Sequence, residues 1–212
     1  MKNVTRLFVM MIIAIITSSM TSCLKDNDNE TTPITPEEAM RYMFQIGGEY
    51  SGKLFFYNDT ITTSSTKIDS VAATVSITAN DSTIMLKGIP GRAFSKLLPS
   101  TQYESLRKAL DNVPPIDLTI RYVFYSATED QFVYYGVYPM SKTIKLNYDG
   151  ADHSITFNFY SLINAYGQYF KNQTYFPLYL TEVRLDNMLE RSFTVSGYYT
   201  DNNCIYNFRG AK

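Results

Sequence analysis

From Glu49 onward, interrupted by one insert, apolar residues recur at every second position in run after run, and that period excludes most ways of folding this chain. The clearest stretch is Ile116–Phe124, where Ile116, Leu118, Ile120, Tyr122 and Phe124 fall on one side. Successive side chains of a strand point to opposite faces, so this pattern is a β-strand with one face buried and one wet. Similar runs occupy Lys53–Tyr57, Val71–Ala79, Thr83–Lys87, Gln131–Tyr138, Thr143–Tyr148, Ile155–Phe159, Phe176–Arg184, Ser192–Tyr199 and Cys204–Arg209. Turn residues separate several of them: Asn80-Asp81-Ser82, Ala127-Thr-Glu-Asp130, Asp149-Gly150 and Asp201-Asn-Asn203. About ten strands with mostly short connections predict a mainly β (α+β) fold, its antiparallel sheets forming a barrel or a sandwich. The 18 Tyr and 13 Phe point the same way, since aromatic residues favour strands.

Helices are expected at two places. Thr35, Pro36 and Glu38 form a capping box that starts an N-terminal helix, with Met40, Met43 and Phe44 as its packing stripe and Gly47-Gly48 as its end. A helical insert follows at Ala93–Asn112, in which Thr101 caps a second helix and Glu104 completes its box. Tyr103, Leu106 and Leu110 line one side of that helix.

The first 22 residues have a different composition. Lys2 and Arg6 precede an apolar run, Leu7–Ile16, and the small polar residues Thr17–Ser22 lead to Cys23. A charged start, a short apolar stretch and small residues at the cut make a secretory signal, and the run falls short of the ~20 residues that span a bilayer. The cysteine at the cut makes it a lipoprotein signal, with Met20 standing where Leu is usual. Cys23 is thus the expected lipidation site, and the membrane, reached through that lipid, the expected partner. Residues 23–34 follow as an acidic tether, and residues 35–212 as a single β-rich domain. Asp26, Asp28, Glu30 and Glu37 have the spacing of a calcium loop, but Thr31 stands where such a loop needs Gly. No metal is therefore expected there.

Removing residues 1–22 from 212 leaves 190, with 17 basic against 20 acidic side chains. That balance offers no footprint for nucleic acid and no polybasic membrane patch. With Cys23 acylated, Cys204 is alone, and no internal disulfide is expected. Alternation places Cys204, Tyr206 and Phe208 on one face, so Cys204 reads as a small buried hydrophobe.

Catalytic chemistry finds little support. His153 is the sole histidine, and no Gly-x-Ser-x-Gly elbow or phosphate-binding glycine loop accompanies it. Glu182, Asp186 and Glu190 alternate with Arg184 and Arg191, the pattern of ordinary surface pairs. No enzymatic activity and no cofactor are expected. A ligand surface is suggested only by the loop Asn164–Phe176, where Tyr166, Tyr169, Phe170 and Tyr175 are interspersed with amides. Aromatic faces beside amides suit a glycan or a peptide. The same rings more simply cover a sheet or plug a barrel, and the absence of Trp weighs against sugar stacking.

The acylated cysteine, the acidic tether, Thr35-Pro-Glu-Glu38 and Gly48-Glu-Tyr-Ser-Gly52 resemble an uncharacterised family of Bacteroidetes lipoproteins, a domain of unknown function. The acidic residues after Cys23 resemble the signal for the outer face of the outer membrane. The Gly-x-Tyr-x-Gly opening is also similar to calycin-like lipoproteins, from which the insert departs. The resemblance implies a location and an all-β or α+β fold, with no functional residues to transfer. The expectation is a surface-anchored, non-enzymatic binding or structural module. A calycin-like carrier of a small apolar ligand is the alternative, and a glycan-binding accessory protein the second.

Overall fold

The computed structural model describes residues 34–58, 67–98, 102–127, 132–160, 166–192, 195–196, 199–200 and 205–212. Cys23, most of the tether, the Thr101 cap, Cys204 and the turns at 128–130 and 201–203 lie outside them.

Helix α1 (Pro36–Ile46) leads into β1 (Gly48–Asn58), β2 (Lys67–Thr78) and β3 (Thr83–Ile89). The insert supplies α2 (Arg92–Ser95) and α3 (Glu104–Asp111). Then come β4 (Ile116–Ala127), β5 (Val133–Pro139), β6 (Lys142–Tyr148), β7 (Ala151–Tyr160), β8 (Tyr166–Phe170) and β9 (Gln173–Leu185). The chain ends with β10 (Met188–Ser192), the two-residue pair β11 (Val195–Ser196) and β12 (Tyr199–Thr200), and β13 (Ile205–Ala211).

Eight antiparallel strands, in the order β1-β2-β3-β4-β5-β8-β9-β13, close into a barrel. Closure depends on β13, which pairs with β9 on one side and β1 on the other. At that seam Gly52 faces Gly210, and a Cβ on Gly52 would lie 2.0 Å from the Arg209 carbonyl oxygen. Strand β9 is long enough to serve two sheets. Its first part pairs with β8 and β13, and from Tyr179 onward it pairs with β7, and near its end also with β10. Beyond the barrel this makes an outlying sheet, β6-β7-β9-β10, with β6 and β10 at its edges.

The barrel interior is apolar. Leu54, Val75, Ile84, Leu86, Ile120, Val137, Phe176 and Phe208 are buried, and burying each contributes ~1.5–3 kcal/mol. Lys53, Arg121 and Arg209, one position away on their strands, are exposed on the outside. A membrane-spanning channel barrel has a polar interior; the interior here is apolar. No helix among the described residues is long and apolar enough to cross a membrane.

Both ends of the barrel are stoppered. At one end Ile46 of α1 is buried, the Tyr50 hydroxyl donates to its carbonyl at 2.5 Å, and Tyr42 packs 5.8 Å from Phe124. Lys212 donates to the Gln45 carbonyl there and lies over the rings of Tyr50 and Tyr169. At the other end the insert enters. Phe94 of α2 sits 4.6 Å from Phe157 of the outlying sheet and 5.8 Å from Tyr206 of the barrel. The Tyr206 hydroxyl donates to the Ala93 carbonyl at 2.9 Å.

Several expectations are corrected. The architecture is a barrel with an outlying sheet, not a sandwich. The capping box at Thr35 and Glu38 forms, but the packing face of α1 is Ala39, Tyr42, Met43 and Ile46, leaving Met40 and Phe44 exposed. The demand of Ile46 and Tyr42 for burial sets that rotation. Helix α3 starts at Glu104 behind Tyr103, with no side-chain cap. The stretch Ser192–Tyr199 is not one strand, because β10 ends at Ser192 and β11 pairs separately with β12. The loop expected at 164–176 contains the β8–β9 hairpin. Its turn is Lys171-Asn172, with φ values of 46° and 64°, the mirror-image turn that matches strand twist.

Candidate functional site

A carrier needs room inside its barrel, and aromatic rings occupy that room here. Tyr122 and Tyr135 are in edge contact at 5.9 Å, and Phe176 stacks on Phe208 at 5.3 Å. A Cβ on Gly167 would lie 2.1 Å from the Tyr135 ring. The buried hydroxyls are partnered. Tyr135 shares a hydrogen bond with Thr174 Oγ1 at 2.5 Å, and Tyr122 donates to the Thr78 carbonyl at 3.4 Å. Burial holds the hydroxyls of Tyr50, Tyr122 and Tyr135 well above their ordinary pKa, so they stay neutral. The packed interior counts against the calycin-like carrier.

The four aromatic residues singled out for ligand binding do not form one platform. Tyr169 faces the interior, and its hydroxyl donates to Asn172 at 3.1 Å. The other three alternate with buried neighbours and lie on the outer wall, each already against a partner. Phe170 stacks on Phe132 at 4.0 Å and carries Lys171 Nζ at 4.8 Å. Tyr175 donates to Asn207, and Arg209 lies between its ring and that of Phe55. Tyr166 leans on Tyr125 at 4.8 Å, and burial with the Tyr125 hydrogen bond pushes its hydroxyl up to about 12. Sugar stacking needs open ring faces, and these largely cover the sheet.

His153 lies in β7, paired with Leu146 of β6. Its Nδ1 is 2.7 Å from Asp186 Oδ2, and its ring is 4.2 Å from that of Tyr148. Asp186 stands in the β9–β10 turn and accepts the Ser154 amide at 2.8 Å through Oδ1. The hydrogen bonds from His153 and Ser154 hold its carboxyl below the usual carboxylate range. Ser154 Oγ is 3.5 Å from the same Asp186 oxygen. The serine thus meets the carboxylate rather than the imidazole, which is not the relay of a Ser-His-Asp triad. Of the other acids, Glu182 pairs with Arg184 at 2.7 Å and Glu190 accepts the Tyr103 hydroxyl at 2.7 Å. These contacts tie the turn and β10 to β7 and the insert. No group of three His, Cys, Asp or Glu among the described residues is placed to hold a metal.

The outlying sheet also borders a cleft of about 350 Å³. One wall is the segment 113–117, and the other is the first four residues of β6, Lys142–Lys145. Four consecutive residues line it, whereas the face of a strand would contribute alternate ones, so this wall is the edge of β6. Among the described residues β6 pairs only with β7, which leaves backbone donors and acceptors of its other edge facing the cleft. Pro114 and Pro115 in the opposite wall have no N–H. Asp117 there already accepts the Gly88 amide at 3.1 Å. Lys142 and Lys145 form no ion pair with a described residue. Sequence reasoning missed this site because edge status is a property of sheet order. The available local signal was a Pro-Pro segment and a strand bearing two lysines.

No curated protein and no solved structure matches the chain. A family model does match, over residues 45–185, more than half of the chain, covering β1 through β9 but not the closing strand β13. The chain therefore belongs to the DUF4840 family, a domain of unknown function.

Proposed function

We propose that the protein is a lipid-anchored, non-enzymatic binding module of the outer membrane that takes an extended acidic peptide along the free edge of β6. The observation that carries this reading is the cleft beside Lys142–Lys145, where β6 has an edge that no described strand pairs and two lysines with no ion pair among the described residues. An extended segment added to a sheet edge gains main-chain hydrogen bonds, and neighbouring side chains select its sequence. Lys142 and Lys145 project from opposite faces of β6, so each favours a carboxylate on its own face of the incoming strand. They also disfavour a second copy of the same edge, since like charges placed opposite each other repel. The packed barrel interior argues against an apolar cargo, and the covered ring faces argue against a glycan. The anchor rests on the signal at residues 1–22 and on Cys23.

Two experiments test the two halves. Cys23→Ala should abolish labelling by radioactive palmitate and release the protein from membranes. A variant that still fractionates with membranes contradicts the anchor. For the site, a peptide alternating Glu and Val should slow amide exchange at residues 142–148. The matching Lys-Val peptide should bind about tenfold more weakly, a difference near 1.4 kcal/mol. N-methylation along one edge of the Glu-Val peptide should abolish binding. Equal binding of the N-methylated peptide means attraction by charge alone and contradicts strand addition.

A further inference from the structure

Phe44 and Met40 do not fit a helix that merely caps a barrel. They lie one turn apart on α1, 70% and 55% exposed, with Arg41 and Glu37 exposed on the same side of the helix. The face of α1 that packs on the barrel is a different one, carried by Tyr42 and Ile46, with Ala39 and Met43 half-buried beside them. The helix therefore has one packed face and, on its bare side, two large apolar side chains flanked by Glu37 and Arg41. More exposed apolar surface lies at the same end of the barrel. Val123 and Tyr125, 45% and 56% exposed, belong to the part of β4 that runs past its pairing with β3. Exposed Lys171 stands at the tip of the β8–β9 hairpin at that end.

We infer that this end of the barrel rests on the lipid bilayer, with Met40 and Phe44 dipped into its interface. The inference deepens the anchored reading and depends on it. The length of chain before α1 identifies the occupant. From Cys23 to the cap at Thr35 the backbone can reach about 40 Å at most, so a lipid on Cys23 keeps the membrane close to α1. Large apolar side chains beside Arg41 and Lys171 suit a surface that lies in the interface, with Glu37 at its rim. The docking also sets an orientation. The β6 cleft borders Ile116 and Asp117 at the start of β4, while Tyr42 packs on Phe124 toward its other end. With α1 on the bilayer, the cleft points away from it.

The chain has no Trp, so a single introduced one reports its own surroundings. The full lipidated chain is reconstituted in vesicles of phosphatidylcholine and phosphatidylglycerol, with brominated lipid as quencher. Phe44→Trp should shift its emission to the blue and be quenched about twofold. Met188→Trp, at a 65% exposed position in β10, should be unquenched in the same vesicles. Equal quenching of the two reporters, or none in either, overturns the docking. A blue shift of Phe44→Trp that appears without vesicles and grows with protein concentration makes the face a contact between copies, and also overturns it. Flotation of the vesicles reads the anchor separately. A chain that floats with an unquenched Phe44→Trp reporter refutes the docking and leaves the anchor standing. A chain that fails to float with Cys23 unmodified refutes both.

Discussion

The barrel and the outlying sheet share one chain and one long strand, yet they handle strand edges in opposite ways. In the barrel β13 pairs on both sides, so the eight strands leave no edge, and the interior is filled by rings such as Tyr50, Tyr122, Tyr135 and Phe208. The outlying sheet ends at β6 on one side and β10 on the other. It also holds polar contacts that are not ladder bonds: His153 with Asp186, Asn158 and Arg184 with Glu182, and Tyr103 with Glu190. Closure removes reactive edges and gives rigidity, whereas an open edge keeps hydrogen-bonding capacity available to a partner. On the proposed reading the barrel is the scaffold, and the outlying sheet carries the binding.

The largest test of this division removes the residue that joins the two regions. Phe94→Ala empties the space between Phe157 and Tyr206 and should cost about 3–5 kcal/mol, read as a drop in the denaturant midpoint. A loss below about 1 kcal/mol would mean that the regions are stabilised separately. Next, Gly167→Ala forces a methyl group against the buried Tyr135 ring and should cost about 1–3 kcal/mol through the barrel alone, leaving peptide binding at β6 intact. Acid should then act on the other region. Because the folded-state pKa of Asp186 is depressed, the stability it contributes is present above about pH 4 and is lost as pH falls through the folded value. Asp186→Asn should thus lower the melting temperature at pH 7, and the gap from the parent should close on acidification. A gap that persists in acid contradicts this assignment. The smallest effect on stability belongs to Lys145→Glu, an exposed position expected to change it by less than about 0.5 kcal/mol while weakening the acidic peptide about tenfold.

How much of this was legible in the sequence depended on whether the deciding interaction was local. The even positions of β4 are buried as their alternation demands, with Ile116, Leu118, Ile120 and Tyr122 all inside. Asp149-Gly150 marked its turn because both residues take positive φ, which that dipeptide favours. The β8–β9 hairpin was missed because Lys171-Asn172 makes a turn of the same kind without Gly, and the β9–β10 turn at Asp186-Asn187 likewise lacks one. Closure was illegible for another reason. Ser51 pairs with Ala211 across almost the whole chain, and no local pattern encodes that pairing. The exposed face of α1 was misread because Met40, Met43 and Phe44 make as good an apolar stripe as the true one, and only the Ile46 and Tyr50 contacts decide between them. The β6 site depends on sheet order, and the Asp186 partner of His153 lies 33 residues away.

The central claim is that the barrel is a filled scaffold and that binding happens outside it. Amide hydrogen exchange on the protein, with and without a saturating long-chain fatty acid, tests it most directly. The account predicts identical exchange in β1, β4, β5 and β13 under both conditions, with residues 142–148 opening faster than the barrel in each. Slowed exchange in the strands carrying Tyr50, Tyr122 and Tyr135 when the fatty acid is added would place a ligand inside the barrel and contradict the account.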